Sequence, residues 1–279
     1  MGRLWSLTQV INLKSLVIAG LAVLSTWLCL RLDIKADFPL TLIATAIVFP
    51  LVFSISTAYN RREKALEEYG GIKAHGRALY FATRDWLDRP DPGLLAAIEE
   101  DLRELLSACR DMFKGPLDQM APYEERVHRT FSRLSLRVKR MREAGLAASE
   151  CSRCNQYLSR IFISFHNLNH IYQYRTPRTL RAFSDFFILL LPILYGPYFA
   201  YQAIEFSREL FYVMPVLFAL ILVGLANIQD HLENPFDQIG EDDVAIDPDK
   251  FIRTLAIATD DAAMNGDRRP KRGIEADRA

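Results

Sequence analysis

Residues 38–66 read FPLTLIATAIVFPLVFSISTAYNRREKAL. The stretch begins as a membrane span and ends, without a turn signal, as a charged helix. Phe38 to Ile55 holds no charged residue, about the length that crosses a hydrocarbon core of roughly 30 Å. Asn60, Arg61, Arg62, Glu63 and Lys64 then follow while helix-forming residues continue. A helix leaving the bilayer in this way is either shielded or lines something. Thr41, Thr45, Ser54, Ser56 and Thr57 give it polar groups that lipid disfavours. Phe49 and Phe53 are four apart and stack on one face. Thr45, Phe49, Phe53 and Thr57 therefore form a stripe that is polar at both ends and aromatic between. The spacing leaves two readings open. Most aromatic stripes pack against neighbouring helices. If several copies met around an axis, this one would make a narrow apolar collar between two wetter rings.

The whole chain has 279 residues, 50% of them hydrophobic, and segregates strongly into apolar runs and stretches rich in Arg, Glu and Asp. Lys plus Arg and Asp plus Glu are each 34, so net charge argues neither for nucleic acid nor for one ion sign. Of the four cysteines, Cys29 lies in an apolar run and Cys109, Cys151 and Cys154 in charged helical segments, unlike a secreted disulfide framework. The pattern is that of an all-α integral membrane protein with four transmembrane helices and a cytosolic helical bundle.

In chain order, residues 1–59 form a short amphipathic start, with Trp5 suited to a membrane interface, and a first transmembrane hairpin with spans about 15–31 and 38–59. No small-residue cleavage site follows the first apolar run, so it reads as a span and not as a signal peptide. Residues 60–180 form a cytosolic helical domain. Asp91-Pro92-Gly93 opens one helix, whose stripe is Leu94, Ile98, Leu102, Leu105, Cys109 and Met112, and Lys114-Gly115-Pro116 stops it. Val127, Phe131, Leu134, Val138 and Met141 mark a second, ending near Gly145. Leu158, Ile161, Phe165, Leu168 and Tyr172 mark a third, ending before Thr176-Pro177. Gly70-Gly71 reads as a flexible joint.

Residues 181–228 form a second hairpin, with spans about 183–202 and 211–228. Pro192, Gly196 and Pro197 imply a kink in the third span whose freed carbonyls are satisfied by neighbouring helices or water. Residues 229–261 form a cytosolic C-terminal segment, and the polar, Arg-rich tail 262–279 reads as disordered. The short linkers hold only Arg31, Lys35 and Arg208 as basic residues. The positive-inside rule places both termini and the helical block in the cytoplasm, in a multi-pass protein of the plasma (inner) membrane.

Few motifs carry chemistry. Cys151-Ser152-Arg153-Cys154 is one CxxC pair without the second pair a structural zinc site needs. His166 and His170 share a helix face but lack the Glu of HExxH, and His75 and His128 are not near them in sequence. Neither is assigned a metal. No nucleophile triad, phosphate loop or Walker motif is present, so no enzyme activity and no cofactor are expected. The acidic run Glu241-Asp242-Asp243, with Asp237 and Asp247, is dense enough to raise the question of a calcium site. It does not follow EF-hand spacing, and a solvated acidic loop is the simpler reading.

Three stretches together resemble the bestrophin family of ion channels, in its bacterial-like form. They are FSISTAYNRR from Phe53 to Arg62, with Phe53 and Arg61 eight apart; Tyr174-Arg175-Thr176-Pro177 through Leu180-Arg181-Ala182-Phe183; and Leu232-Glu233-Asn234-Pro235-Phe236 after the fourth span. Their order and spacing agree with the four-span plan over most of the chain to about Ile252. The resemblance implies a homopentamer around one central pore lined by the second span, with a neck of bulky apolar side chains one turn apart. Phe49 and Phe53 fall on two neck positions, which turns the reading of the stripe from packing to pore lining. The third falls on Thr45, a departure from the apolar pattern, and Pro50 sits between the aromatics. Thr41 and Thr57 extend the lining. The calcium clasp of animal members uses acids directly after the NPF segment. Here Asp237-Gln238-Ile239-Gly240 intervenes, so calcium gating is not carried over, and Asp237, Glu241, Asp242 and Asp243 stand only as a candidate cation site.

The resulting expectation is passive conduction of chloride or other small anions by a homo-oligomer in the lipid bilayer, with inorganic ions as its partners and no nucleic acid. The alternatives are a cation-selective channel of the same fold and a non-conducting membrane scaffold whose helical block binds a protein. A channel predicts that the polar face of the second span meets a water-filled axis. A scaffold predicts that the same face is buried within one subunit.

Overall fold

The computed structural model describes residues 10–174, 178–203, 212–236 and 244–255. Trp5, Arg175-Thr176-Pro177, Arg208, the acidic run from Asp237 to Asp243 and the tail 262–279 lie outside the described residues. Among those described, the regular structure is helical throughout: α1 Leu13–Arg31, α2 Leu40–Asp85, α3 Pro92–Lys114, α4 Met120–Glu143, α5 Ala148–Gln173, α6 Arg178–Leu194, α7 Gly196–Gln202 and α8 Val213–Glu233. A short helix over 248–255 follows. Four stretches, namely α1, the apolar part of α2, α6 with α7, and α8, are long and apolar enough to cross a membrane. The protein is an integral membrane protein.

The chain divides into two compact units, Met1–Ala65 with Ile171–Val244 and Leu66–His170 with Ala245–Ala279. The first holds α1, the start of α2, α6, α7 and α8. Asn12 caps α1 reciprocally with Ser15. Buried Asn227 of α8 donates to the Val10 carbonyl at 2.7 Å and to Ser15 Oγ at 3.3 Å, so its amide is satisfied away from lipid. Ile18, Ala19 and Ala22 of α1 meet Leu51 of α2, Ile188 of α6, and Ala219, Val223 and Ala226 of α8. The alanines let backbones approach where apolar lipid gives no hydrophobic drive between helices. Ile47 of α2 joins a second cluster with Leu191, Tyr195, Phe199 and Leu222.

The expected kink in the third span divides it at Tyr195, between α6 and α7. Pro197 has no N–H to offer the carbonyl of Ile193, four residues back. Ser25 Oγ of α1 donates to that carbonyl instead, at 2.7 Å. Gly196 makes the approach possible, because a Cβ there would collide with Ser25 Oγ and lie 3.0 Å from the Ser25 carbonyl carbon. The fourth span runs on as helix past Ile228 to Glu233.

In the second unit the three predicted stripes form the core, except that Tyr172 at the end of the third belongs to the first unit. Asp91 accepts from Leu94 N at 2.9 Å to start α3, with Pro92 at its first position, and Gly115 ends it. Gly145, at φ 100°, follows the end of α4 and supplies the left-handed conformation that glycine adopts freely. Ile98, Met112, Val127, Leu134, Met141, Ile161, Phe165 and Leu168 are fully buried, whereas Phe131 is only half-buried. Buried Asp101 accepts from Arg133 at 2.7 Å and Arg137 at 2.9 Å. One expectation is corrected here. Gly70-Gly71 is no joint but lies inside α2, and a Cβ on Gly71 would come within 2.9 Å of Ser164 Oγ on α5. His128, distant in sequence, brings its ring to 5.9 Å from that of His166, with the Phe162 ring 4.4 Å from His166.

Candidate functional site

The stripe on α2 follows from which side of the helix the first unit covers. Ile47, Leu51, Ser54 and Ala58 are buried, at intervals of three and four, and make one face. Thr41, Thr45, Phe49, Val52, Phe53, Ser56 and Thr57 are exposed on the opposite face. Phe49 is 61% exposed and Phe53 56%, their centroids 4.6 Å apart at 77° in an edge-to-face pair. Every residue predicted for the neck and lining thus lies on one face that its own subunit leaves uncovered. None of them is packed between the described helices.

The hydroxyls on this face are already engaged with the helix. Thr45 Oγ1 donates to the Thr41 carbonyl at 2.6 Å, and Thr57 Oγ1 to the Phe53 carbonyl at 2.8 Å. Ser54, on the covered side, donates likewise to the Pro50 carbonyl at 2.9 Å. A hydroxyl has one proton, so Thr45 and Thr57 offer only oxygen lone pairs outward. The helix runs on through Pro50, whose missing N–H leaves the Ala46 carbonyl without its helical donor. No side chain on the face carries a charge from Thr41 to Asn60. The surface can exclude water at its aromatic centre and coordinate weakly at its two threonine levels.

Two arginines anchor the helices of the first unit to one another. Arg61 donates to the Ile171 carbonyl near the end of α5 at 2.8 Å, where a cation complements the negative end of the helix. Arg181, at the start of α6, donates to Glu233 at 2.7 Å and to Asp230 at 2.8 Å on α8. Glu233 is 6% exposed. One guanidinium therefore joins two stretches that the sequence offered as separate motifs, Leu180–Phe183 and Leu232–Phe236. Phe236 is buried with its ring 6.1 Å from that of Tyr172. Periodicity could not reveal these pairings, because the partners lie 52 and 110 residues apart.

The candidate cation residues Asp237, Glu241, Asp242 and Asp243 fall outside the described residues. Asp247 is described, and its carboxylate accepts from Lys250 N at 2.9 Å, capping the helix over 248–255. Cys151 and Cys154 are buried thiols, and burial pushes Cys154 up to about 11, which keeps it in the unreactive thiol form.

No protein-family profile and no curated protein matches the sequence. Solved structures match it well. A bacterial bestrophin homologue from Klebsiella pneumoniae, solved by Zn-SAD phasing, superposes with TM-score 0.70 over 91% of this chain and 98% of its own, at 16% identity. A point mutant of a bestrophin homologue from the same organism gives TM-score 0.70 at 17% identity, over 91% of this chain and 98% of that one. A mutant described only as a membrane protein gives 0.73 at 17%, over 88% and 99%. The chain has the bestrophin fold. At these identities the likeness carries the bestrophin architecture and leaves the lining chemistry to be read from this chain's own residues.

Proposed function

We propose that the protein is an oligomeric ion channel of bestrophin fold, a pentamer in the inner membrane with both termini cytoplasmic, conducting ions passively through a central pore lined by α2. The observation that carries this reading is the uncovered face of α2, with Phe49 and Phe53 more than half exposed on a helix whose other side is buried. Copies meeting around an axis would turn that face into an aromatic neck between threonine rings, with Thr41 and Thr45 at one end and Thr57 at the other. Apolar constrictions of this kind gate by dewetting. The exposure of Phe49 and Phe53 supports this reading over a scaffold that hides the same face within one subunit.

Chloride or another small anion is the ion that the resemblance to bestrophins implies. A second reading, a cation-selective channel of the same fold, is favoured by one specific observation. Thr45 and Thr57 spend their protons on their own helix and turn oxygen, not O–H, outward. Rings of such oxygens attract cations.

The test is recording from the purified protein in planar bilayers with unequal KCl on the two sides. The channel reading expects currents that rise when Phe49→Ala and Phe53→Ala widen the neck. The sign of the reversal potential assigns anion or cation. Folded, oligomeric protein that stays silent with both alanines in place would shift the assignment to a scaffold.

A further inference from the structure

Within the second unit, the C-terminal segment packs on the later turns of α2. Ile246, Phe251, Ile252 and Leu255 are buried there. The register is fixed at both ends. Asp247 N donates to the Tyr69 hydroxyl at 3.3 Å, and Arg77 Nη2 donates to Thr254 Oγ1 at 3.3 Å. Between these points Gly76 admits Phe251, whose Cζ would be 3.5 Å from a Cβ at that position. The two helices therefore run in the same direction, and Lys250, one turn before Thr254, comes beside Lys73, one turn before Arg77.

This arrangement gathers Lys73, Arg77 and Lys250 on facing elements. Lys73 lies 4.3 Å from the Tyr69 ring centroid, Arg77 lies 5.9 Å from that of Phe251, and both are half-buried. Among the described residues no carboxylate lies within ion-pair distance of any of the three. The nearby acids are otherwise placed: Asp247 caps the Lys250 backbone N–H, and Asp249 is exposed. The Lys73 ammonium is held below its ordinary range, first by burial and then by the charges of Arg77 and Lys250. The buried Tyr69 hydroxyl accepts from Asp247 N, and its own proton has no acceptor among the described residues. Cations drawn together at a packed contact repel one another unless an anion joins them.

We propose that Lys73, Arg77 and Lys250 form a binding site for a small multivalent oxyanion of the phosphate class, held between α2 and the helix over 248–255. The guanidinium fork matches two oxyanion oxygens and the ammonium groups supply charge. A bound anion ties the C-terminal segment to α2. The phosphate comes either from a soluble compound or from a lipid headgroup.

The experiment uses the full chain in nanodiscs of zwitterionic lipid and follows thermal unfolding. Sodium phosphate is compared with sodium chloride at matched ionic strength. A soluble ligand gives a phosphate-specific rise in Tm that saturates with concentration. Nanodiscs containing phosphatidic acid, without soluble phosphate, give the rise instead if the source is a headgroup. In either arm Lys73→Gln and Lys250→Gln should each weaken the response about tenfold, roughly 1.4 kcal/mol. Without anion, Lys73→Gln should be at least as heat-stable as the wild type, because it relieves repulsion. Lys250 is exposed, so Lys250→Gln serves even if Lys73→Gln folds poorly. No rise in either arm, or an equal rise in wild type and Lys250→Gln, overturns the proposal.

Discussion

A single hydroxyl settles the break in the third span. Ser25 serves the carbonyl that Pro197 cannot, and Gly196 leaves room for it to do so. Ser25→Ala should destabilise the protein by about 1 kcal/mol through the unpaired Ile193 carbonyl, read as a lower Tm in detergent. Gly196→Ala should be worse, about 1–3 kcal/mol, because its Cβ meets the Ser25 backbone as well as the movable hydroxyl. An equal or higher Tm for Gly196→Ala would contradict the geometry. Thr45 offers a matching test of ion sign. Thr45→Val keeps the shape and removes the outward oxygen, so the cation reading expects a reversal potential shifted toward chloride. An unchanged reversal potential would remove Thr45 from selectivity.

Between elements, the informative contacts are ionic. Arg181→Gln should lower stability by about 2 kcal/mol, since Glu233 stays buried with its charge-assisted bond lost. Chemical denaturation checks this, and no change would mean that water replaces the guanidinium. In the second unit, Arg126 reaches Glu104 on α3 at 2.6 Å. Its hydrogen bond is the main influence holding the Glu104 carboxyl below its ordinary 4.5, with burial opposing. The folded value is depressed, so this contribution is fully present above about 4.5 and fades as pH falls through the lower folded value. Arg126→Gln should therefore flatten the loss of stability on acidification below about 4.5, measured as Tm against pH. These contacts also mark how far a sequence can be read. The stripes of α3, α4 and α5 were legible because a buried face repeats at helical spacing. Gly71 was misread because the Ser164 hydroxyl that fills its missing side chain lies 93 positions later. Arg181 and Glu233 were visible only as members of separate motifs.

At the scale of the molecule, the four spans followed from apolar length, whereas four-residue spacing placed the stripe on one face of α2 and left packing and pore lining both open. What spacing could not supply was whether anything in the subunit covers Phe49 and Phe53, because burial depends on the helices packed beside α2. Their exposure leads to a direct test of assembly. If the stripe lines the proposed axis, identical thiols would meet there, and a Phe53→Cys variant should give disulfide-linked dimers under mild oxidation. A ring with an odd number of subunits always leaves one of them unpaired, so a monomer band should persist however long the oxidation runs. Cys109, Cys151 and Cys154 are buried and Cys29 is half-buried, and the wild type run alongside measures their background. A Phe53→Cys variant that never crosslinks, in protein shown to be oligomeric, would place the stripe away from the axis.

The uncovered face of α2 also has a genetic consequence. If each copy contributes one strip of a shared wall, no copy owns a pore of its own. An altered neck would then be dominant in mixed assemblies. Co-expressing Phe53→Ala with the wild type should yield channels that leak in proportion to the subunits they happen to draw, and a healthy allele would not mask the faulty one.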